Sequence, residues 1–317
     1  MTALDLTALA ARLPPRPLTR FAPSPTGYLH LGHVANAVWV WGLARALGGR
    51  VLLRIEDHDR GRCRPEYERA ILEDLAWLGL EPDLGTAGEI SAGASTYRQS
   101  DSGAAYQVAL DRLGRAGLVF GCDCTRKDIA STEGDRFNQE TRYPGRCRDR
   151  GLTLAPGIGA RLRLDPQMER FVDARLGPQE QDPAVQCGDL LLRDRLGQWT
   201  YQFAVVVDDW RHDVDLAVRG EDLLPSTGRQ LRLGRLLGRS TPPVFLHHPL
   251  IRKPGGEKLS KAAGDTGVRE LRAAGATPQG VLGQAAALTG LLPRAEPIQP
   301  GDLAKLFSGG YDLETRP

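Results

Sequence analysis

The chain has 317 residues, and 41 Lys+Arg against 39 Asp+Glu leave a formal net charge of only +2, which excludes a histone-like electrostatic binder and means that any nucleic acid must be held by local patches. With 41% hydrophobic and 25% charged residues it reads as a globular protein of about two domains, neither disordered nor collagen-like. No apolar run approaches the roughly 20 residues of a membrane span, and the N-terminal MTALDLTALAARLPPRP is amphipathic and carries an acid, unlike a secretory signal.

Leu18–Ala22 is apolar and tolerates a strand, and it runs into the loop Pro23–Gly27. From Leu31 to Leu47, apolar residues (Leu31, Val34, Val38, Trp41, Leu43, Leu47) recur at helical spacing until Gly48-Gly49 stops the helix. Val51–Ile55 predicts a short buried strand and Pro65–Leu80 an amphipathic helix. This alternation is that of a parallel α/β sheet, and a helix at about Gly103–Gly117 and a strand at Leu118–Phe120 are expected to continue it. Residues 122–160 hold three of the five cysteines, many arginines and little periodicity, so they read as an inserted module. Strands resume at Ala160–Leu164 and Leu190–Arg193. Tyr201–Trp210 follows as helix, Val214–Arg219 as strand, Leu223–Leu237 as helix and Val244–His248 as a last strand. Beyond Pro249 comes a loop with Pro254, Gly255 and Gly256, then a helical remainder over roughly Gly267–Leu292.

Two segments carry the chemistry. Ala-Pro-Ser-Pro-Thr-Gly-Tyr-Leu-His-Leu-Gly-His, residues 22–33, lies between the first strand and the first helix. A Gly-bearing loop feeding a helix N-terminus presents free backbone N–H groups and the positive end of the helix dipole to an anion. His30 and His33, two of six histidines, sit three apart around the helix start, and Gly32 between them permits close approach of a base or phosphate. The second segment is Ile-Arg-Lys-Pro-Gly-Gly-Glu-Lys-Leu-Ser-Lys, residues 251–261. In a chain with only five lysines (Lys127, Lys253, Lys258, Lys261, Lys305), three fall in this loop. Ammonium and guanidinium are not interchangeable. Compact ammonium groups on a Gly/Pro-flanked loop suit the charge developing on a transferring phosphoryl group, although a solvated basic loop has the same composition.

Together, His30-Leu-Gly-His33 and Lys258-Leu-Ser-Lys261 resemble the paired signatures of class I aminoacyl-tRNA synthetases. More narrowly, Arg20-Phe-Ala-Pro-Ser-Pro-Thr-Gly, Arg54-Ile-Glu-Asp, Tyr201-Gln-Phe-Ala-Val-Val-Val-Asp-Asp and Arg219-Gly-Glu-Asp are similar to the glutamyl-tRNA synthetase group, with blocks spanning residues 20–261. Residues 262–317 are too few for the anticodon-binding region that follows the lysine loop in full-length members. The run after Arg219-Gly-Glu-Asp continues Leu-Leu-Pro-Ser-Thr-Gly-Arg-Gln, where the long enzymes commonly place His. Both features resemble the truncated family of glutamyl-queuosine tRNA(Asp) synthetases. Those ligases activate L-glutamate with ATP and esterify it to queuosine in the tRNA(Asp) anticodon. The alternative is a short glutamyl-tRNA synthetase that charges the 3′ end of tRNA(Glu).

The resemblance implies an α/β fold, a Rossmann-like class I synthetase catalytic domain built on a parallel sheet. Its first half would be residues 1–121 and its second 189–248. Residues 122–188 would form an inserted zinc-bearing module, and 249–317 the lysine loop and a small helical C-terminal part without an anticodon-binding domain. It implies His30, His33, Lys258 and Lys261 as catalytic residues, with His30, Gly32, His33 and Lys261 on ATP, accompanied by Mg²⁺. It implies Arg20, Ala22, Ser24, Glu56, Tyr201 and Arg219 as glutamate contacts: a guanidinium fork suits each carboxylate, and Glu56 suits the ammonium. Asp208, Asp209 and Asp222 can face magnesium or serve structure, and a structural role is the expectation.

Five cysteines, odd in number and few, argue for a reducing compartment and against a disulfide framework, so a cytoplasmic protein is expected, and a monomer. Cys122-Asp-Cys124, Tyr143 and Cys147 follow the order C-x-C … Y-x-x-x-C. On residue types alone they are either a structural zinc site or free buried thiols; the family resemblance implies one structural Zn²⁺ held by all four. Arg142, Arg146, Arg148 and Arg150 around it are either a solvated face or RNA phosphate contacts. Cys63 and Cys187 read as ordinary thiols.

Overall fold

The computed structural model describes residues 4–130, 142–251 and 267–308. Its central element is a four-stranded, all-parallel sheet in the order β2-β1-β8-β9. The strands are β1 (Leu18–Phe21), β2 (Arg50–Leu53), β8 (Leu216–Gly220) and β9 (Val244–His248). All four residues of β1 are buried, as expected for a strand covered on both faces. The helix Leu31–Ala46 connects β1 to β2, and eleven of its sixteen residues are buried. It is apolar nearly all round because it packs against the sheet and also against Pro278–Leu288 and the 3₁₀ segment Pro300–Leu306. The chain leaves this helix through Gly48, whose φ of 65° is left-handed, and Gly49, where a Cβ would stand 2.4 Å from the Pro17 carbonyl oxygen.

Chain connection runs from β1 out to β2 and returns to β8 on the other side of β1, so the sheet's topological switch point lies between β1 and β8. In open parallel sheets a ligand crevice forms at that point, beyond the carboxyl ends of the strands. Arg20 on β1 and Arg219 on β8 are both near those ends.

The expectation for Leu118–Phe120 is corrected. The strand β3 (Val119–Cys122) does not continue the parallel sheet. It pairs antiparallel with β4 (Gly159–Leu162), which pairs antiparallel with β7 (Leu190–Arg193) in a separate three-stranded sheet. A short apolar strand carries no signal for the direction of its partner. A hairpin of β5 (Glu169–Asp173) and β6 (Gly177–Gln181) lies beside β9, with the Ala174 N–H donating to the Phe245 carbonyl at 2.8 Å. The helical remainder expected over roughly 267–292 comprises two helices, Val268–Ala273 and Pro278–Leu288, separated at Gly275 (φ 84°) and Pro278. The helix expected from Leu223 begins at Thr227, after a 3₁₀ segment Glu221–Ser226 that contains Pro225.

One core cluster packs around the parallel sheet and the helix Leu31–Ala46. A second lies between the helices Gly103–Arg115, Tyr201–Arg211 and Thr227–Leu237 and the antiparallel sheet. A third, small cluster holds Phe120, Cys122, Tyr143 and Cys147. Among the described residues no helix is long and apolar enough to cross a membrane.

Candidate active site

The start of the helix Leu31–Ala46 is capped by its own two histidines. His30 is the N-cap, and its Nδ1 accepts from the Gly32 N–H at 3.0 Å; the Nδ1 of His33 accepts from the His30 N–H at 3.1 Å. The arrangement is a capping box with imidazoles in place of Ser and Glu. Because both Nδ1 atoms accept, each neutral ring carries its proton on Nε2. The two rings lie 4.0 Å apart between centroids. A Cβ at position 32 would stand 2.8 Å from the Cε1 of His30, so Gly32 makes room for the folded-back imidazole. This adds a local reason for the glycine to the sequence-based one, approach of a ligand.

His30, Gly32 and His33 line a cavity of about 380 Å³ together with Asn36, Arg219, Asp222, His248 and Ile251. The cavity therefore joins the start of the helix Leu31–Ala46 to the carboxyl ends of β8 and β9. Lys253, Lys258 and Lys261 lie outside the described residues. The described residues flanking them are both at this place: Ile251 lines the cavity, and Gly267 pairs with His30 in an antiparallel bridge.

The expected glutamate contacts gather beside it. Ala22 and Ser24 follow directly on β1, and the Glu56 N–H donates to the Pro23 carbonyl at 3.0 Å, which ties Glu56 to that loop. Tyr201 opens the helix Tyr201–Arg211 and is half-buried. Burial raises its phenol above the ordinary tyrosine range; the charges of Glu56, Arg219, Arg20 and Asp209 all act on it. Arg20, Glu56, Tyr201 and Arg219 thus converge on one place.

The two arginines differ in state. The Nε of Arg20 donates to both carboxylate oxygens of Asp209 at 3.2 Å, and its NH1 donates to the Val218 carbonyl at 3.1 Å. Arg54, fully buried, donates at 2.7 Å to Asp209 Oδ1 and at 2.8 Å to Glu56 Oε1, and its Nε lies 3.7 Å from Asp208 Oδ2. Burial would push the Asp209 carboxyl up, but Arg20 and Arg54 outweigh it and hold the pKa at about 2. Arg219 is also buried, yet among the described residues no carboxylate lies within ion-pair distance of it. Neutral acceptors hold it: His247 Nε2 at 2.9 Å from its Nε, Gln230 Oε1 at 2.6 Å, Thr227 Oγ1 at 2.8 Å and the Leu223 carbonyl at 3.4 Å. Burial lowers its pKa from the ordinary arginine value, opposed by Tyr201 and by the more remote charge of Asp209.

Arg54 stands in a sequence motif without an expected role, and Asp208 and Asp209 are expected to be structural. Both aspartates point from the helix Tyr201–Arg211 into this ion network; Asp208 also accepts from Gln99, Tyr106 and Arg211. Asp222 lines the cavity. No local signal separates a strand-end arginine that pairs with a substrate from one that pairs with Asp209.

The cysteine cluster also assembles. The sulfurs of Cys122, Cys124 and Cys147 lie within 4.8 Å of one another and can hold a metal ion. The hydroxyl of Tyr143 is 3.5 Å from Cys122 Sγ and accepts the Cys147 N–H at 2.9 Å, so a fourth donor stands at the same point. Cations surround the set: Arg161 Nε is 3.3 Å from Cys122 Sγ with its guanidinium 3.7 Å over the Tyr143 ring, and Arg150 is 3.4 Å from Cys147 Sγ. Three thiolates and a divalent ion would leave net negative charge, which Arg161 would offset. Arg148 and Arg150 are ion-paired with Asp165 and Asp123, and Arg142 donates to the Ala184 carbonyl. Cys63 and Cys187 stand apart; Cys187 donates to the Pro183 carbonyl.

A family model described as tRNA synthetases class I (E and Q), catalytic domain, matches residues 18–296. A protein of Nitratidesulfovibrio vulgaris named glutamyl-Q tRNA(Asp) synthetase is 40% identical over 311 residues, covering 94% of this chain and 94% of its own. One of the same name from Bordetella bronchiseptica is 48% identical over 252 residues, 77% of this chain and 75% of that one. Among solved structures, a glutamate tRNA ligase from Elizabethkingia meningosepticum in complex with its amino acid superposes with a TM-score of 0.75 at 26% identity. That match covers 92% of this chain, which spans 64% of the length of the ligase. With the family model matched over most of its length and relatives aligned almost end to end, the chain belongs to the class I tRNA synthetases (E and Q) and is a ligase of that type.

Proposed function

We propose that the chain activates L-glutamate with ATP and transfers it to the queuosine base in the anticodon of tRNA(Asp). The observation that carries the reading is the unneutralised buried guanidinium of Arg219, set beside Glu56 and Tyr201 and next to the His30–His33 helix start. A carboxylate on a small molecule matches that guanidinium, and an ammonium on the same molecule would share Glu56 with Arg54. Arg20, already paired with Asp209, would supply its remaining N–H rather than its net charge. A relative named for this activity aligns over 94% of the chain.

In the first half-reaction the α-carboxylate of glutamate attacks the α-phosphorus of ATP. A carboxyl O–P bond forms, the bond to the bridging oxygen breaks, and pyrophosphate leaves. His30 and His33 offer Nε2–H donors and the helix N-terminus its dipole to the phosphates. Lys261, assisted by Lys258, would stabilise the departing pyrophosphate. Mg²⁺, when bound with ATP, screens phosphate charge. In the second half-reaction a queuosine hydroxyl attacks the activated carbonyl, AMP leaves, and the hydroxyl proton passes to the AMP phosphate or to water. The Cys122, Cys124, Tyr143 and Cys147 set would hold one structural Zn²⁺, a closed tetrahedral site.

The test offers labelled glutamate and ATP with tRNA(Asp) that carries or lacks queuosine. Transfer only to the queuosine-bearing tRNA supports the reading, and equal transfer to both refutes it. Charging of tRNA(Glu) at its 3′ end would establish the alternative, a short glutamyl-tRNA synthetase. ATP–pyrophosphate exchange without any tRNA, dependent on glutamate, is expected here.

A further inference from the structure

Among the described residues near the site, Arg20 and Arg54 are neutralised by carboxylates and Arg219 is not. The difference traces to one residue. Where a carboxylate would ordinarily receive a buried Arg Nε–H, the acceptor for Arg219 is the Nε2 of His247, its direct neighbour in the β8–β9 register. Guanidinium nitrogens only donate, so His247 Nε2 must hold a lone pair and the ring proton must sit on Nδ1. Nδ1 in turn lies 2.7 Å from Asp173 Oδ2. Asp173 is itself fixed, because its Oδ1 accepts the N–H groups of Arg175 and Leu176 at 3.0 and 2.9 Å in the turn of the β5–β6 hairpin. Asp173 and the His247 side chain are completely buried.

We propose that Asp173 and His247 form a positioning dyad that orients Arg219 through a neutral acceptor, leaving the guanidinium charge available to a substrate carboxylate and so selecting an acidic amino acid over its amide. A carboxylate in direct contact with Arg219 would hold it as firmly but would cancel its charge. An imidazole holds it without doing so, and the carboxylate one ring further back fixes which nitrogen accepts. Burial keeps the His247 pKa below the ordinary histidine value, opposed by the Asp173 bond and aided by Arg219, consistent with a neutral ring. Thr227, 3.3 Å from the same Nε2 and an acceptor for Arg219, completes the clamp. Neither Asp173 nor His247 was marked by the sequence motifs. The inference rests on the reading of Arg219 as a carboxylate contact.

The experiment compares His247→Gln, whose Oε1 is a neutral acceptor, with His247→Glu, whose Oε1 is a charged one, in glutamate- and glutamine-dependent ATP–pyrophosphate exchange. His247→Gln should keep the glutamate KM within about 3-fold of wild type. His247→Glu should raise it by about 10- to 100-fold, the effect of losing one charge-assisted hydrogen bond, with the KM for ATP unchanged and glutamate-over-glutamine preference reduced. A wild-type glutamate KM in His247→Glu, or equal increases in both variants, would overturn the proposal. Should the substitutions prevent folding, two-bond proton–nitrogen NMR of the wild type reads the tautomer directly, and a proton on His247 Nε2 would overturn it as well. If wild type shows the Nδ1–H tautomer but no glutamate-dependent exchange, the proposed function fails while the dyad geometry stands.

Discussion

Arg54 joins the stability of the fold to the proposed glutamate contacts. It is fully buried and donates at 2.7 Å to Asp209 and at 2.8 Å to Glu56, so it anchors Glu56 directly and Arg20 through their shared aspartate. Replacing it with the similarly long but apolar Met leaves Glu56 without that partner and Asp209 with Arg20 alone. Removing one member of a buried ion pair costs about 3–5 kcal/mol. Because Asp209 keeps Arg20 at 3.2 Å, the expected loss for Arg54→Met is at the lower end, about 3 kcal/mol. Against a total of about 5–15 kcal/mol for a typical native protein, the variant should still fold. Urea unfolding followed by the fluorescence of the five tryptophans measures the loss, and glutamate-dependent exchange on the same preparation measures its effect on the site. Glutamate KM should rise while the KM for ATP stays near wild type. Arg54→Lys should recover only part of both, since one ammonium cannot present a planar fork to two carboxylates. Unfolding of Arg54→Met within about 1 kcal/mol of wild type, with an unchanged glutamate KM, would refute the reasoning.

Other expectations follow from the same geometry. Lys261→Ala should abolish most adenylate formation with little change in unfolding, and Lys261→Arg should restore most of it if charge alone matters; unchanged exchange in Lys261→Ala would remove the lysine from the site. Gly32→Ala places a methyl 2.8 Å from the His30 ring, so it should raise the KM for ATP more than that for glutamate, which steady-state exchange kinetics can resolve. Cys147→Ser, or treatment of the native protein with a strong chelator, should release one zinc per chain by elemental analysis and lower the melting temperature; a metal-free, equally stable native protein would exclude the structural site. Burial raises the carboxyl of Asp74 to about 6, opposed by Arg272. Its folded pKa exceeds its unfolded one, so the ionised form weighs against folding above pH 6 and the penalty disappears as pH falls below about 4. Asp74→Asn should therefore gain stability relative to wild type at pH 8 compared with pH 4, by at most about 3 kcal/mol, and a pH-independent difference would contradict it.

Much of the local architecture was readable along the chain. The helix Leu31–Ala46 and its stop at Gly48 follow from spacing and from one left-handed glycine, and β9 was expected over the same residues that form it. Errors arose where the deciding contact is distant. Val119–Cys122 is a short apolar strand in either sheet, and only its pairing with Gly159–Leu162 makes it antiparallel. The helical remainder over roughly 267–292 is present as Val268–Ala273 and Pro278–Leu288, with the break where Gly275 and Pro278 stand.

Composition, spacing and motif order by themselves pointed to the α/β class, the His30–Gly32–His33 helix start, the lysine window and the Cys122, Cys124 and Cys147 set, because each rests on residues close in sequence or on residue types that are scarce in this chain; Tyr143 as a fourth donor came from the family resemblance. Tertiary structure alone decided which of the two arginines is ion-paired with a carboxylate among the described residues. Arg20 and Arg219 look alike in sequence, each at the end of a strand, and differ because Asp209 reaches the first from a distant helix while His247 reaches the second from the adjacent strand. Charge is a property of residues, but its neutralisation is a property of distances of about 3 Å, and those are set only when remote segments pack together.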